Sequence, residues 1–99
     1  MFDLQKYTES ISLLCTKYSV AKLYAFGSVL NNRFNADSDI DLLVSFKHIA
    51  PEDYADNYFD LKQGLEQLLG KHVDMLEEQA LKNPYLKKEI DQTKQLMYG

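Results

Sequence analysis

The sequence predicts a mixed α/β (α+β) fold, a small sheet with helices packed on one face. Two observations carry this. Apolar residues recur at three- and four-residue spacing in three stretches, and three short apolar runs lie between them. The resulting order is helix, strand, strand, helix, strand, helix, and such elements bury their apolar faces as helix against sheet. No repeat, low-complexity segment or composition shift divides the chain, so its 99 residues are read as one domain spanning 1–99.

The first helix is expected from about Asp3 to Tyr18, because Leu4, Tyr7, Ile11, Leu14 and Tyr18 share one face. Cys15 flanks that stripe and reads as core filler, with nothing nearby to lower its pKa. Val20 to Phe26 is the first strand, stopped by Gly27-Ser28. Asn31 to Ser38 is polar and rich in turn residues. A second strand then runs from about Asp39 to Phe46. Pro51 suits the first turn of a helix, Glu52 and Asp53 suit its positive end, and Gly70 suits its stop after Leu69. His72 to Leu76 is the third strand. Asn83-Pro84 opens a last helix expected to reach about Met97, with Leu86, Ile90, Thr93 and Met97 as its stripe.

The chemistry gathers where the first two strands meet. On a strand, side chains alternate between faces, so Asp39 and Asp41 point one way while Ile40, Leu42 and Val44 point the other. Two acids at the entrance of an apolar strand make a poor core, because unpaired buried charge is costly. They make a good site for a hard divalent metal beside substrate phosphates. Gly27, lacking a Cβ, lets main chain approach a ligand, and Ser28 offers a hydroxyl and an N–H to a phosphate. Taken singly, Gly-Ser after a strand is more often just a turn, and Asp-x-Asp more often a cap or solvated edge. Their joint occurrence, with strands on both sides, gives the pattern its weight.

Gly27-Ser28, a ten-residue gap and Asp39-Ile40-Asp41 resemble the signature of the polymerase-β-like nucleotidyltransferase superfamily. The phrase Ser38-Asp39-Ile40-Asp41-Leu42-Leu43-Val44 is especially similar to the minimal nucleotidyltransferases, small proteins paired with HEPN-domain toxins. The resemblance covers nearly the whole chain, including Asn83-Pro84-Tyr85-Leu86. It implies that Asp39 and Asp41 hold one or two Mg²⁺ ions against ATP, with Asp74 as third acid on a neighbouring strand. It implies that Gly27 and Ser28 anchor phosphates. The family often carries Ala-Arg-Gly after the Gly-Ser, where this chain has Leu30-Asn31-Asn32, so Arg33 is the remaining basic candidate for nucleotide binding. The implied activity is antitoxin adenylylation: AMP passes from ATP to a tyrosine hydroxyl of a HEPN ribonuclease toxin, and neutralises it.

Composition narrows the alternatives. A formal charge of −4 argues against direct nucleic-acid binding and suits a partner with a basic surface. A single cysteine excludes an internal disulfide and a cysteine-based zinc site. No apolar run approaches the roughly 20 residues that cross a bilayer, and the first residues are unlike a signal peptide, so the expected setting is cytoplasmic, without membrane contact. His48 and His72, lacking ligand spacing, read as surface or edge residues. Tyr7, Tyr18, Tyr54 and Tyr58 read as core, Tyr98 as a possible partner contact, and Lys82, Lys87, Lys88 and Lys94 as a solvated face. Two other functions compete: a binding module that neutralises the toxin by covering it, and a small-molecule nucleotidyltransferase subunit that needs a separate substrate domain.

Overall fold

A computed structural model describes residues 2–31, 34–35 and 37–99. A 3₁₀ turn at Leu4–Tyr7, capped by the Asp3 carboxylate on the Gln5 N–H, leads into α1 (Thr8–Lys17). Then come β1 (Val20–Phe26), a second 3₁₀ turn at Gly27–Leu30, β2 (Ile40–Phe46) and α2 (Pro51–Leu69). β3 (Val73–Glu77), a short turn at Glu78–Ala80, α3 (Pro84–Thr93) and β4 (Gln95–Tyr98) complete the chain.

The strands form one sheet in the order β3-β2-β1-β4. β1 is antiparallel to both β2 and β4, whereas β2 and β3 are parallel, so the sheet is mixed. A parallel pair needs a long crossover, and α2 supplies it. α2 starts on Pro51 and stops at Gly70, whose left-handed conformation (φ 66°) lets its N–H close on the Glu66 carbonyl.

The core lies between α1, α2 and one sheet face. Ile40, Leu42 and Val44 of β2 are buried there with Leu23 and Ala25 of β1 and Val73 and Met75 of β3. Ile11 and Cys15 of α1 and Leu61, Leu65 and Leu69 of α2 close over them. Leu61 and Leu65 are fully buried, so truncating either to alanine costs about 2–5 kcal/mol. Cys15 is core filler, as its place beside the α1 stripe predicts; burial pushes its thiol up to about 12. Tyr7, Tyr18 and Tyr58 pack against this core, and Tyr54 lies between the rings of Phe46 and Tyr58.

The C-terminal end differs from expectation. The last helix stops at Thr93 and not near Met97, because Lys94 is extended (ψ 148°) and Gln95–Tyr98 becomes a strand. β1 would otherwise present an open edge, and pairing with β4 satisfies it. A register shift lies between the Leu23↔Tyr98 and Tyr24↔Leu96 pairs. Met97 and Tyr98 both pack at the core, and the Tyr98 hydroxyl shares a 3.1 Å hydrogen bond with that of Thr16. Tyr98 is thus part of the fold's own packing.

The opposite face, which carries Asp41, is open only in part. Leu43 and Ile90 are buried outside the main core. Lys94, at the end of α3, lies 4.2 Å over the ring of Tyr24, the β1 partner of Leu43. Lys82, Lys87 and Lys88 are exposed as expected, but Lys94 is not: it and Lys87 both pair with Asp91, at 2.8 and 2.9 Å, and the Lys94 side chain is only 20% exposed. Among the described residues, no helix is long and apolar enough to cross a membrane.

Candidate active site

β1 runs extended to Phe26, and the chain then turns at Gly27 with φ at +78°. A Cβ there would lie 2.5 Å from Asp41 Oδ2. Only glycine combines that backbone conformation with so close an approach to the carboxylate. Ser28 follows, half-buried, its carbonyl accepting from the Asn31 N–H at 3.0 Å.

Asp41 is the second residue of β2, paired with Phe26 on one side and with Asp74 of β3 on the other. Neighbouring strands lie about 4.8 Å apart, and paired positions send their side chains to the same face. Burial raises the Asp41 pKa above the ordinary carboxyl value, and the charges of Asp74 and then Asp39 raise it further. Among the described residues, neither Asp41 nor Asp74 takes part in an ion pair. The described residues thus bring negative charge together at Asp41 and Asp74 without an ion-pair partner.

Asp39 lies just before β2 and is exposed. Its Oδ2 is 3.7 Å from His72 Nδ1, and His72 Nε2 is 3.7 Å from Glu66 Oε2. The Glu66 carboxylate also accepts from the Val73 N–H at 2.9 Å, holding the start of β3. His72 is a surface residue, 63% exposed, yet it stands beside the first motif acid. Sequence reading gave it no role. The signal was the parallel register, which pairs Ile40 with Val73 and sets Asp39 level with His72; spacing along one chain does not reveal it.

Asn31 is exposed and lines an opening of about 440 Å³ with Gly27, Leu30, Glu89 and Thr93. Glu89 and Thr93 come from α3 and were not foreseen as neighbours of the Gly27 turn. Arg33 lies outside the described residues. Lys71, just before β3, donates from its Nζ to the Asn35 carbonyl at 3.3 Å and lies 4.9 Å over the ring of Phe34.

A glycine turn pressed against the acid-bearing strand of a small mixed sheet agrees with what the resemblance to the nucleotidyltransferases implies. A family model described as the nucleotidyltransferase domain matches residues 8–97, and the chain belongs to that family. It is 41% identical over 80 residues to a Methanocaldococcus jannaschii chain named as a candidate protein adenylyltransferase, covering 81% of this chain and 79% of that one. A solved structure of a candidate minimal nucleotidyltransferase superposes with a TM-score of 0.77 at 32% identity, covering 93% of this chain and 90% of the other. A chain from the structure of tri-AMPylated Shewanella oneidensis HEPN toxin in complex with MNT antitoxin superposes with a TM-score of 0.67, covering 98% and 73%. At 19% identity that last likeness is one of fold.

Proposed function

We propose that this chain, acting as one domain over residues 1–99, is an antitoxin that transfers AMP from ATP to a tyrosine hydroxyl of a HEPN ribonuclease toxin. A cytoplasmic setting belongs to the same reading. The observation that carries it is the pairing of Asp41 with Asp74 beside the Gly27 turn, two carboxylates that have no ion-pair partner among the described residues.

Such a cluster fits Mg²⁺. The donors are all hard oxygens, and a cation would offset both the burial and the neighbouring Asp74 and Asp39 charges that raise the Asp41 pKa. Among the described residues no group of three or more His, Cys, Asp or Glu side chains is placed to hold a metal ion, so Asp39, Asp41 and Asp74 do not form a three-acid site among themselves. An ion here would be bound by one or two carboxylates and share its remaining positions with phosphates and water. Asp39 and Asp41 would hold it, with Asp74 beside them. When bound, it offsets triphosphate charge and makes the α-phosphorus more electrophilic.

The chain's own residues do the rest. On this reading the Gly27 and Ser28 main chain meets the triphosphate oxygens, which the close approach of Gly27 to Asp41 supports, and Arg33 completes the nucleotide-binding set. Asp74 orients the acceptor tyrosine and takes its proton. The tyrosine oxygen bonds to the α-phosphorus, the bond from that phosphorus to the bridging oxygen breaks, and pyrophosphate leaves. The added phosphodiester brings bulk and negative charge to a site that must receive RNA phosphates, which blocks the toxin.

Intact-mass measurement of the toxin after incubation with this chain, ATP and Mg²⁺ tests the proposal, with fragmentation locating the modified residue. Mass increments of whole adenylyl groups on tyrosine support it. An unmodified toxin that is nonetheless inhibited supports a purely covering antitoxin instead.

A further inference from the structure

The described residues form one sheet with its helices, so an acceptor delivered to Asp74 has to pass over the surface of these elements. One surface stands out. α2 and the free edge of β3 enclose a groove of about 400 Å³ lined by Tyr54, Ala55, Tyr58, Phe59, Met75 and Glu77, among others. Its exposed lining is mostly apolar, and Phe59 on its wall is 61% exposed although large and hydrophobic.

The groove has acidic borders. Glu52 and Asp56, both exposed, stand one helical row out from Ala55 and Phe59, while Glu77 lines the strand side. α2 as a whole carries Glu52, Asp53, Asp56, Asp60 and Glu66 against Lys62 alone. An apolar floor between carboxylates fits an amphipathic segment whose apolar side chains are flanked by Lys or Arg. An enzyme that binds RNA presents such cationic surface.

Strand addition is not the mode of docking. On the outer edge of β3, the Val73 N–H is taken by Glu66 and the Met75 carbonyl by the Tyr58 hydroxyl. A partner at this edge must bind through side chains. The position matters because β3 also carries Asp74, on the face opposite Met75. A segment seated in the groove lies one strand's breadth from the acids.

We infer that the α2–β3 groove is the acceptor-docking site, taking a basic amphipathic segment of the toxin and delivering the neighbouring tyrosine over the β3 edge to Asp74; this rests on the function proposed above. Phe59→Ala removes the exposed anchor, and Glu52→Lys with Asp56→Lys reverses the border charge on the helix side. Both change exposed positions, so the fold should tolerate them.

The test measures toxin affinity, the KM and kcat for toxin adenylylation, and ATP affinity in parallel, using an inert toxin variant for the affinity arm. Phe59→Ala should weaken toxin binding and raise the KM for toxin about tenfold, leaving kcat and ATP affinity within about twofold. The charge-reversed variant should bind more slowly and lose most of its salt dependence. Unchanged KM and affinity in both variants would overturn the groove while leaving the adenylyltransferase reading intact. If the chain alone is a dimer that Phe59→Ala dissociates, the groove holds a second copy and the inference is likewise overturned. A wild-type chain that neither binds nor modifies the toxin would overturn both.

Discussion

Gly27 and Asp41 occupy one space that admits a single side chain, for a Cβ on Gly27 would lie 2.5 Å from Asp41 Oδ2. The turn and the acid are therefore coupled. Gly27→Ala forces an L residue to φ +78°, at a cost of about 1–2 kcal/mol, and displaces the Asp41 carboxylate. The variant should remain folded with a lower Tm and lose at least about tenfold in Mg²⁺-dependent ATP affinity, read by calorimetry. Wild-type affinity in the variant would mean that Asp41 moves without consequence.

The electrostatics of Asp41 give a signed prediction. Its folded pKa is raised, so the folded state keeps the proton to higher pH than the unfolded chain does. Stability from this group is thus full below the ordinary carboxyl value and is lost as pH rises through the folded pKa. In EDTA at neutral pH, Asp41→Asn should be more stable than wild type by about 0.5 kcal/mol, a figure reduced for solvent screening at a half-exposed site. The difference should vanish near about pH 3. Urea denaturation at both pH values checks this, and Mg²⁺ with ATP should stabilise only the wild type.

Cys15 supplies a test of the core. Its thiol is fully buried and pushed up to about 12, so a thiol reagent should label it only on unfolding. Cys15→Ser keeps the size but buries a hydroxyl among apolar neighbours, at a cost of about 1–3 kcal/mol in denaturant titration.

Asn31 and Glu89 border the same opening beside Gly27. An arginine at Asn31 can pair with phosphate oxygens, but Glu89 competes for it. Asn31→Arg combined with Glu89→Gln should therefore raise ATP affinity more than Asn31→Arg alone, by up to about tenfold on calorimetry. Equal affinities would place Glu89 out of reach of the bound nucleotide.

Much of the fold was legible because local signals agreed with tertiary ones. Pro51, the stripe of Tyr54, Tyr58, Leu61, Leu65 and Leu68, and Gly70 mark α2 from one end to the other, although in its last turn it is Leu69 that is buried and Leu68 only partly so. The alternation of Ile40, Leu42 and Val44 gave the buried face of β2, although Asp39 falls just outside the strand. β4 was not legible. Ile90, Thr93 and Met97 repeat at helical spacing, and four residues are too few to announce a strand whose register comes from β1. The candidate site divides in the same way. Gly27, Ser28, Asp39 and Asp41 are close in sequence and could be grouped by spacing, whereas Asp74 entered through family likeness. His72, Glu66 and Glu89 reach the site only through the β2–β3 register and the path of α3.

Enzyme and covering protein part most directly in the ribonuclease activity of toxin recovered after separation. Toxin is incubated with ATP, Mg²⁺ and either wild type or Asp39→Asn with Asp41→Asn, purified away from the antitoxin under denaturing conditions, refolded and assayed on RNA. The double variant keeps side-chain shape and should still bind the toxin, so both samples begin inhibited. Toxin from the wild-type sample should stay inactive and toxin from the variant sample should recover full activity. Full recovery in both samples would contradict catalysis and leave inhibition by binding alone.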